Sequence, residues 1–483
     1  MRQMKYSNLN DYITSLEKHG LLKRIQAEVS TDLEITEITD RTMAIDGPAL
    51  LFENVSGHKM PVLTNLFGSH KKMSLALGVE DVEQIADRIS ALLNTVQNPP
   101  KTTGAKLKLL GELLKIGRLS PKTVQKAPCQ EVIITGEDVN LFELPILKNW
   151  PQDGGKFITL PLVITQDPSK SSQNYGIYRM QVYDKNTTGM HWQTHKGAAE
   201  HYRNTTDRLD VSVAIGSDPA TIWSGSAPLP PDVDEMLLAG FVRNSPVKLV
   251  KCITNDLKVP ANSEIVLEGY VLKDEEKMEG PFGDHTGYYS EAALYPVLHV
   301  TAITHRNKPI YPSALVGKPP KEDYWMGKVT ERVFLPLIKL TLPEVEDINM
   351  PAEGIFHNML IVSINKRYPG QAYKVMNGLW GMGLLSLTKT IIVVDNFVNV
   401  HNISELAWRV LCNINYDTDI LVSKGPLDDL DHSNPSAKFG AKLGIDATRK
   451  IAGEGYTSDW PDDVDMTEEI KQLVDSKWQE YGF

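Results

Sequence analysis

The spacing of apolar positions changes along the chain and divides it into four parts. In the first, residues 1–125, helical and extended spacings alternate. Leu9, Tyr12, Ile13 and Leu16 share one helical face, with Ser7 as the predicted N-cap and Gly20 as the stop. Residues 49–65 read as two short strands around Ser56-Gly57, and 81–94 as a helix. These elements predict a small α/β domain, interrupted by Asn98-Pro99-Pro100-Lys101. Beyond the break, residues 105–119 set Leu107, Leu110 and Leu114 on one side of a helix and Lys108, Glu112 and Lys115 on another. Such a helix suits packing on the body, and its basic face also suits a membrane surface.

The second part, 126–315, alternates like strands at 131–135, 160–165, 177–183, 211–215, 248–254, 264–272 and 297–304. One helix interrupts them near 234–244, and the pattern predicts a β-barrel or sandwich. The third part, 316–462, reads β-α-β-α-β: buried strands at 359–364 and 390–394, helices at 371–382 and 402–414, then a strand at 419–422. Asn402 with Glu405 resembles a capping box, and the whole predicts an α/β domain with a largely parallel sheet. After a loop-rich stretch, 428–462, the fourth part (463–483) carries one helix. Its stripe of Met466, Ile470, Leu473, Val474 and Trp478 must dock on the body or on a partner subunit.

Composition narrows the classes. A net charge of -11 over 483 residues argues against a general nucleic-acid binder. The three cysteines, Cys129, Cys252 and Cys412, are too few and too far apart for a disulfide framework, so a reducing cytosol is expected. No signal-peptide pattern follows Met1, and no apolar run approaches the roughly eighteen residues of a membrane span. Neither Gly-x-Gly-x-x-Gly before a helix, nor a Walker loop, nor Gly-x-Ser-x-Gly occurs.

The densest chemistry lies in Glu279-Gly280-Pro281-Phe282-Gly283-Asp284-His285-Thr286-Gly287-Tyr288. Three glycines and a proline exclude a helix interior or central strand, so this is a loop carrying two carboxylates and a histidine. The same composition also suits a plain solvated turn. In Asn174-Tyr175-Gly176-Ile177-Tyr178-Arg179, alternation sends Arg179 to the same face as apolar Ile177, which is unusual for a cation without a partner. His191 and His195, four apart, would share a helical face if helical, but no His-Glu-x-x-His accompanies them. Glu235 opens a helix and suits its dipole. Lys442 sits in a glycine-containing stretch that could approach a ligand.

The ten-residue loop resembles the hallmark loop of the UbiD family of prenylated-flavin-dependent decarboxylases. The similarity runs nearly end to end, through Leu33-Glu34-Ile35-Thr36-Glu37-Ile38, Gly47-Pro48-Ala49-Leu50-Leu51-Phe52-Glu53-Asn54 and Ile177-Tyr178-Arg179. Asp284, where the cinnamate-type branch tends to carry Glu, resembles the branch acting on 4-hydroxy-3-polyprenylbenzoate in ubiquinone biosynthesis.

The resemblance implies a split β-barrel flavin-binding middle domain between two α/β domains, and homo-oligomers built partly through the C-terminal helix. It implies Arg179, Glu279 and Asp284 as the catalytic set, with Glu279 or Asp284 delivering a proton. Thr159, Ile177, Tyr178, Arg179, His191, Trp192, Gln193, Lys196, Gly197, Ser226 and Lys442 match positions that contact prenylated FMN; close relatives can carry Arg at position 191. Asn174, His195 and Glu235 match divalent-metal positions, and this donor set suits manganese or magnesium. The implied cofactors are prenylated FMN and manganese, with a place for a monovalent cation. The implied substrate is a polyprenylated aromatic acid, and a separate flavin prenyltransferase would supply the cofactor.

Losing carbon dioxide from an aromatic acid needs an electron sink that no side chain provides, so a cofactor fits. A proton donor must be protonated near neutral pH, so one of the two carboxyls is expected to have a raised pKa, with Arg179 opposing the shift. Three other readings stand beside this one. They are a prenylated-flavin decarboxylase of another aromatic or unsaturated acid, a non-catalytic lipid-binding or assembly protein, and a metal-dependent hydrolase.

Overall fold

The computed structural model describes residues 6–98, 111, 114, 116–170, 172–193, 197–230, 233–434, 438–456 and 458–483. The amphipathic segment at 105–119 therefore lies largely outside the described residues, as do His195 and Lys196.

The N-terminal domain follows its apolar pattern. Helix Leu9–Lys18 buries Leu9, Tyr12, Ile13 and Leu16. Its cap is Asn8 rather than Ser7: Asn8 Oδ1 accepts from Asp11 N at 3.0 Å, while Ser7 N donates back to Asp11 Oδ2 at 2.7 Å. Strands Ala49–Phe52 and Val62–Thr64 pair antiparallel, and Leu22–Ile25 adds to one edge. Tyr311–Pro312 closes the other edge from far along the chain. Helix Glu34–Ala44 was not predicted, because Thr36, Thr39 and Thr42 lower its helical signal. There Thr39 and Thr42 donate to the carbonyls four residues back, both at 2.7 Å, so their hydroxyls are satisfied within the helix.

The middle domain is a seven-stranded antiparallel sheet with smaller ladders beside it. Its longest strands, Ile265–Glu279 and Ala293–His305, pair with two register shifts, and the ten-residue loop is the connection between them. The predicted strand 177–183 is two strands, Gln173–Ile177 and Met180–Gln181, with Tyr178 and Arg179 at the break. Helix Glu235–Arg243 lies where predicted.

The C-terminal sheet has five strands, and two of its four pairings are antiparallel, so it is mixed rather than largely parallel. Helix Ile403–Asn413 has the expected cap, with Asn402 Oδ1 accepting from Glu405 N at 3.2 Å. Strand Phe439–Asp446 lies in the stretch read as loop, so Lys442 is on a sheet strand. Its two glycines obscure the strand pattern, and the smallness of Gly444 is needed where a Cβ would lie 2.4 Å from Met376 Sδ.

Helix Glu322–Thr341, also unpredicted, ties the domains together. Met326, Val329 and Val333 pack into the N-terminal core, while Leu335 and Ile338 pack into the C-terminal one. Pro336 sits inside this helix beside the changeover. Helix Glu468–Ser476 buries none of its residues, and Ile470, Leu473 and Trp478 are 43%, 46% and 46% exposed. Its apolar stripe does not dock on its own body. Among the described residues, no helix is long and apolar enough to cross a membrane.

Candidate active site

The ten-residue loop is a tight hairpin. Glu279 ends the strand before it, and Phe282–Gly283 pairs with Tyr289–Ser290. Gly280, at φ +99°, takes a backbone conformation that a side chain would strain. Gly283 leaves room for Trp150, whose Cδ1 would lie 2.2 Å from an added Cβ. Gln181 Oε1 accepts from Gly280 N at 2.7 Å and Asp153 Oδ1 from Gly283 N at 2.8 Å, which ties the hairpin to the sheet.

Arg179 fills the centre of this hairpin. Its Nε donates to Glu279 Oε1 at 3.0 Å, one terminal nitrogen donates to Asp284 Oδ2, and the other donates to Ser290 Oγ at 3.1 Å. The guanidinium lies over the Phe282 ring, 5.0 Å from its centroid. The arginine and both carboxylates are at most 8% exposed, so three charges are buried together and held by one planar fork, while Glu279 Oε2 is left without a hydrogen-bond partner. The break between two strands, rather than simple alternation, aims Arg179 here. His191 Nδ1 lies 3.0 Å from Glu279 Oε1, and its ring packs at a tilt of 35° against Tyr295, with centroids 4.2 Å apart.

Burial alone would push Asp284 upward. The Arg179 charge and bonds from His285 outweigh it and hold the carboxyl well below its usual range. The expected raised carboxyl is therefore overturned at Asp284. The raised group is His285. Burial pulls it down, but the Asp284 bond and charge, helped by Asp323 and Asp428, carry it up to about 8. His285 Nδ1 is 2.9 Å from Asp284 Oδ1, and its Nε2 is 2.7 Å from His357 Nε2. Burial and the His285 charge press His357 down to about 4. Burial also raises Asp323, to about 6.

A cavity of about 1410 Å³ opens in front of this cluster, between the middle sheet, helix Glu322–Thr341 and the C-terminal domain. Thr159, Ile177, Tyr178, Arg179, His191, Gln193, Gly197, Ser226, Asn174 and Glu235 all line it, as do Asp284, His285 and His357. Glu279 is fully buried behind Arg179 and does not line it. Two predicted contacts also stand off the wall. Trp192 packs against Tyr202, 5.3 Å between centroids, and the ammonium of Lys442 bonds the carbonyl of Ser386, which is itself a wall residue. His191 precedes the helix Gly197–Asn204 instead of lying on it, so the pairing of two histidines on one helical face does not arise.

Tyr175 N, next in the chain to Asn174, donates to Glu235 Oε2 at 3.4 Å. Burial pushes Glu235 up to about 8. Among the described residues, no group of three His, Cys, Asp or Glu forms a metal cluster. Sequence reasoning named His285 without giving it work and missed His357 and Asp323. A lone histidine after Phe356 carries no local signal, because its partner is 72 residues away.

Three domain families match the chain, described as the N-terminal, Rift-related and C-terminal domains of 3-octaprenyl-4-hydroxybenzoate carboxy-lyase, over residues 13–91, 122–319 and 324–447. An uncharacterized protein of Archaeoglobus fulgidus is 50% identical over 482 residues, 99% of each chain. Among solved structures, the closed form of Sedimentibacter hydroxybenzoicus vanillic acid decarboxylase is 28% identical with a TM-score of 0.85, over 99% of this chain and 100% of that one. An evolved dimeric form of the UbiD-class enzyme HmfF from Pelotomaculum thermopropionicum, in complex with prFMN, is 29% identical with a TM-score of 0.77, over 94% and 97%. The chain belongs to the UbiD family and is a UbiD-class carboxy-lyase, a decarboxylase.

Proposed function

We propose that this enzyme decarboxylates an aromatic acid with the help of prenylated FMN. The observation that carries the reading is the buried fork of Arg179 between Glu279 and Asp284, opening on the 1410 Å³ cavity. The wall suits a flavin phosphate ester in two respects. Asn174 Nδ2 and His191 Nε2 are buried wall atoms with no hydrogen-bond partner, and Lys170 and Lys258 line the same cavity. Thr159, Ile177 to Arg179, His191, Gln193, Gly197 and Ser226 would hold the cofactor, with Lys442 one residue behind the wall at Ser386. Lys196 belongs to the same expectation, and Asn174, His195 and Glu235 remain the proposed ligands of a divalent ion. A carboxylate oxygen and an amide oxygen on one cavity wall fit a hard cation. Prenylated FMN, when bound, supplies the electron sink for the departing carboxylate.

The chain's own residues do the rest. Arg179 meets the substrate carboxylate and orients it. As the bond to carbon dioxide breaks, its electron pair stays with the ring carbon, and a proton must arrive there. Asp284 faces the cavity and Glu279 does not, which supports Asp284 as the carrier and Glu279 as the brace for Arg179 and His191. The test is to purify the enzyme after co-expression with a flavin prenyltransferase, record the mass and absorption of bound flavin, and measure carbon dioxide release from vanillic, 4-hydroxybenzoic and 3-prenyl-4-hydroxybenzoic acids. Bound prenylated FMN with turnover of at least one acid is expected. A flavin-free protein after that co-expression would sink the reading.

A second reading, the polyprenylated substrate of ubiquinone biosynthesis, draws on the apolar side of the cavity at Met326, Phe334, Leu337, Ile338 and Met382. If it holds, each added isoprene unit raises kcat/KM about tenfold or more, because a buried CH₂ contributes ~0.8 kcal/mol. A flat series across tail lengths removes it.

The exposed stripe of the C-terminal helix fits a contact with a second copy of this chain. Replacing Ile470 and Trp478 with Lys is expected to lower the native mass to that of a monomer. The unfolding temperature of the monomer should hardly move, since both side chains already face solvent. An unchanged native mass would place the interface elsewhere.

A further inference from the structure

We propose that His285 is the proton reserve of Asp284, and that His357 is the positioning residue that holds it ready. The proposal rests on the reading of Asp284 as proton carrier. Turning a carboxylate into carbon dioxide and an unsubstituted ring carbon consumes one proton per turnover, so the carrier must be reloaded each time. Asp284 is poorly placed to hold that proton itself, because Arg179 donates to one of its oxygens and His285 to the other.

His285 is placed to hold it. Its Nδ1 points at Asp284 Oδ1 and its Nε2 at His357 Nε2, so an imidazolium there donates both protons, and a neutral His357 accepts one of them. His285 is gripped from three elements. The hairpin supplies Asp284, helix Glu322–Thr341 supplies Asp323, and the segment after strand Ile420–Pro426 supplies Asp428. His357 is faced by His285, Asp284, Asp428 and Asp431.

The backbone shows that the His357 position is enforced. Ile355 and Phe356, at φ +53° and +40°, are consecutive non-glycine residues in the left-handed region, and one of them is β-branched. That strain turns His357 back toward the hairpin, with the Phe356 ring 5.5 Å from His285. The pair also joins a middle-domain hairpin to a C-terminal-domain loop, so the reserve is complete only when the two domains meet. In the cycle, His285 passes its Nδ1 proton to Asp284 as substrate takes Arg179. Asp284 passes it to the ring carbon as carbon dioxide leaves, and water in the cavity returns one proton to His285.

The test is a histidine-labelled NMR titration of the full chain, with turnover of the fastest acid in the panel measured alongside. In H357F the imidazole of His285 is expected to lose at least tenfold in proton affinity. The alkaline limb of kcat should move to lower pH by the same amount, and kcat should fall ~10–100-fold with KM within twofold. H357Q, which keeps an accepting oxygen, is expected to recover most of both. An unshifted His285 titration in a folded H357F protein overturns the proposal, whatever the rate. D284N separates the two readings. If it is inactive while H357F behaves as wild type, only the reserve fails; if D284N turns over normally, the role of Asp284 itself fails.

Discussion

Asp284→Asn leaves a folded protein that turns over about 10²–10⁴-fold more slowly, the usual contribution of a positioned proton carrier. The side chain keeps its shape but offers one oxygen where two are used. Arg179 approaches one side and the backbone N and Nδ1 of His285 the other, so the new amide must turn its NH₂ toward a donor. The mismatch costs about 1–3 kcal/mol. A second signature separates this variant from a general loss of fit. In the parent protein His285 is raised to about 8 from an ordinary 6.5, chiefly by Asp284 acting against burial. A raised folded pKa contributes stability that is complete below about pH 6.5 and disappears as pH rises through about 8. His285 is therefore expected to add on the order of 2 kcal/mol to the parent's loss of stability between pH 6 and 9, and much less to that of D284N. Unfolding midpoints across that range measure it, and identical slopes for the two proteins would contradict the coupling.

The sequence was most readable where elements are local and amphipathic. The face Leu9, Tyr12, Ile13, Leu16, the strand Met359–Ile364 and the Asn402 cap need only near neighbours, and all stand as read. What failed depends on distance. Helix Glu322–Thr341 shares its residues between two cores, so its apolar positions do not form one stripe. Strand Phe439–Asp446 is held by partners 53 residues back, at Thr390, Ile391, Ile392 and Val393, and its glycines suggest a loop until those partners are seen. The apolar stripe of the last helix was found, but not what covers it.

The site divides the same way. The fork of Arg179, Glu279 and Asp284 was legible because a rare residue pattern carried it, although its contacts span 100 and 105 residues. Which carboxylate faces the cavity was not legible, since that depends on the Arg179 side chain lying in front of Glu279. The expectation of a raised carboxyl weighed burial and like charge. It lacked the second cation, His285, which Asp284 itself holds charged with help from Asp323 and Asp428 on separate elements.

Arg179→Met is expected to do the most damage. It removes the cation from between two carboxylates that are 0% and 8% exposed, and breaking a buried pair this way costs about 3–5 kcal/mol. Met fills the volume over Phe282 but donates nothing to Glu279, Asp284 or Ser290. Turnover should fall at least about a thousandfold, since both the clamp on the substrate carboxylate and the set of Asp284 are lost. Arg179→Lys tells charge from geometry. Its single ammonium keeps the charge but cannot reproduce a fork whose Nε and two terminal nitrogens serve three partners. R179K should therefore regain about half or more of the lost stability and almost none of the activity. Denaturant midpoints and turnover on both variants decide the matter. If R179M were as stable as the parent, the two carboxylates would not need the cation, and Arg179 could not be the charge around which this site is organised.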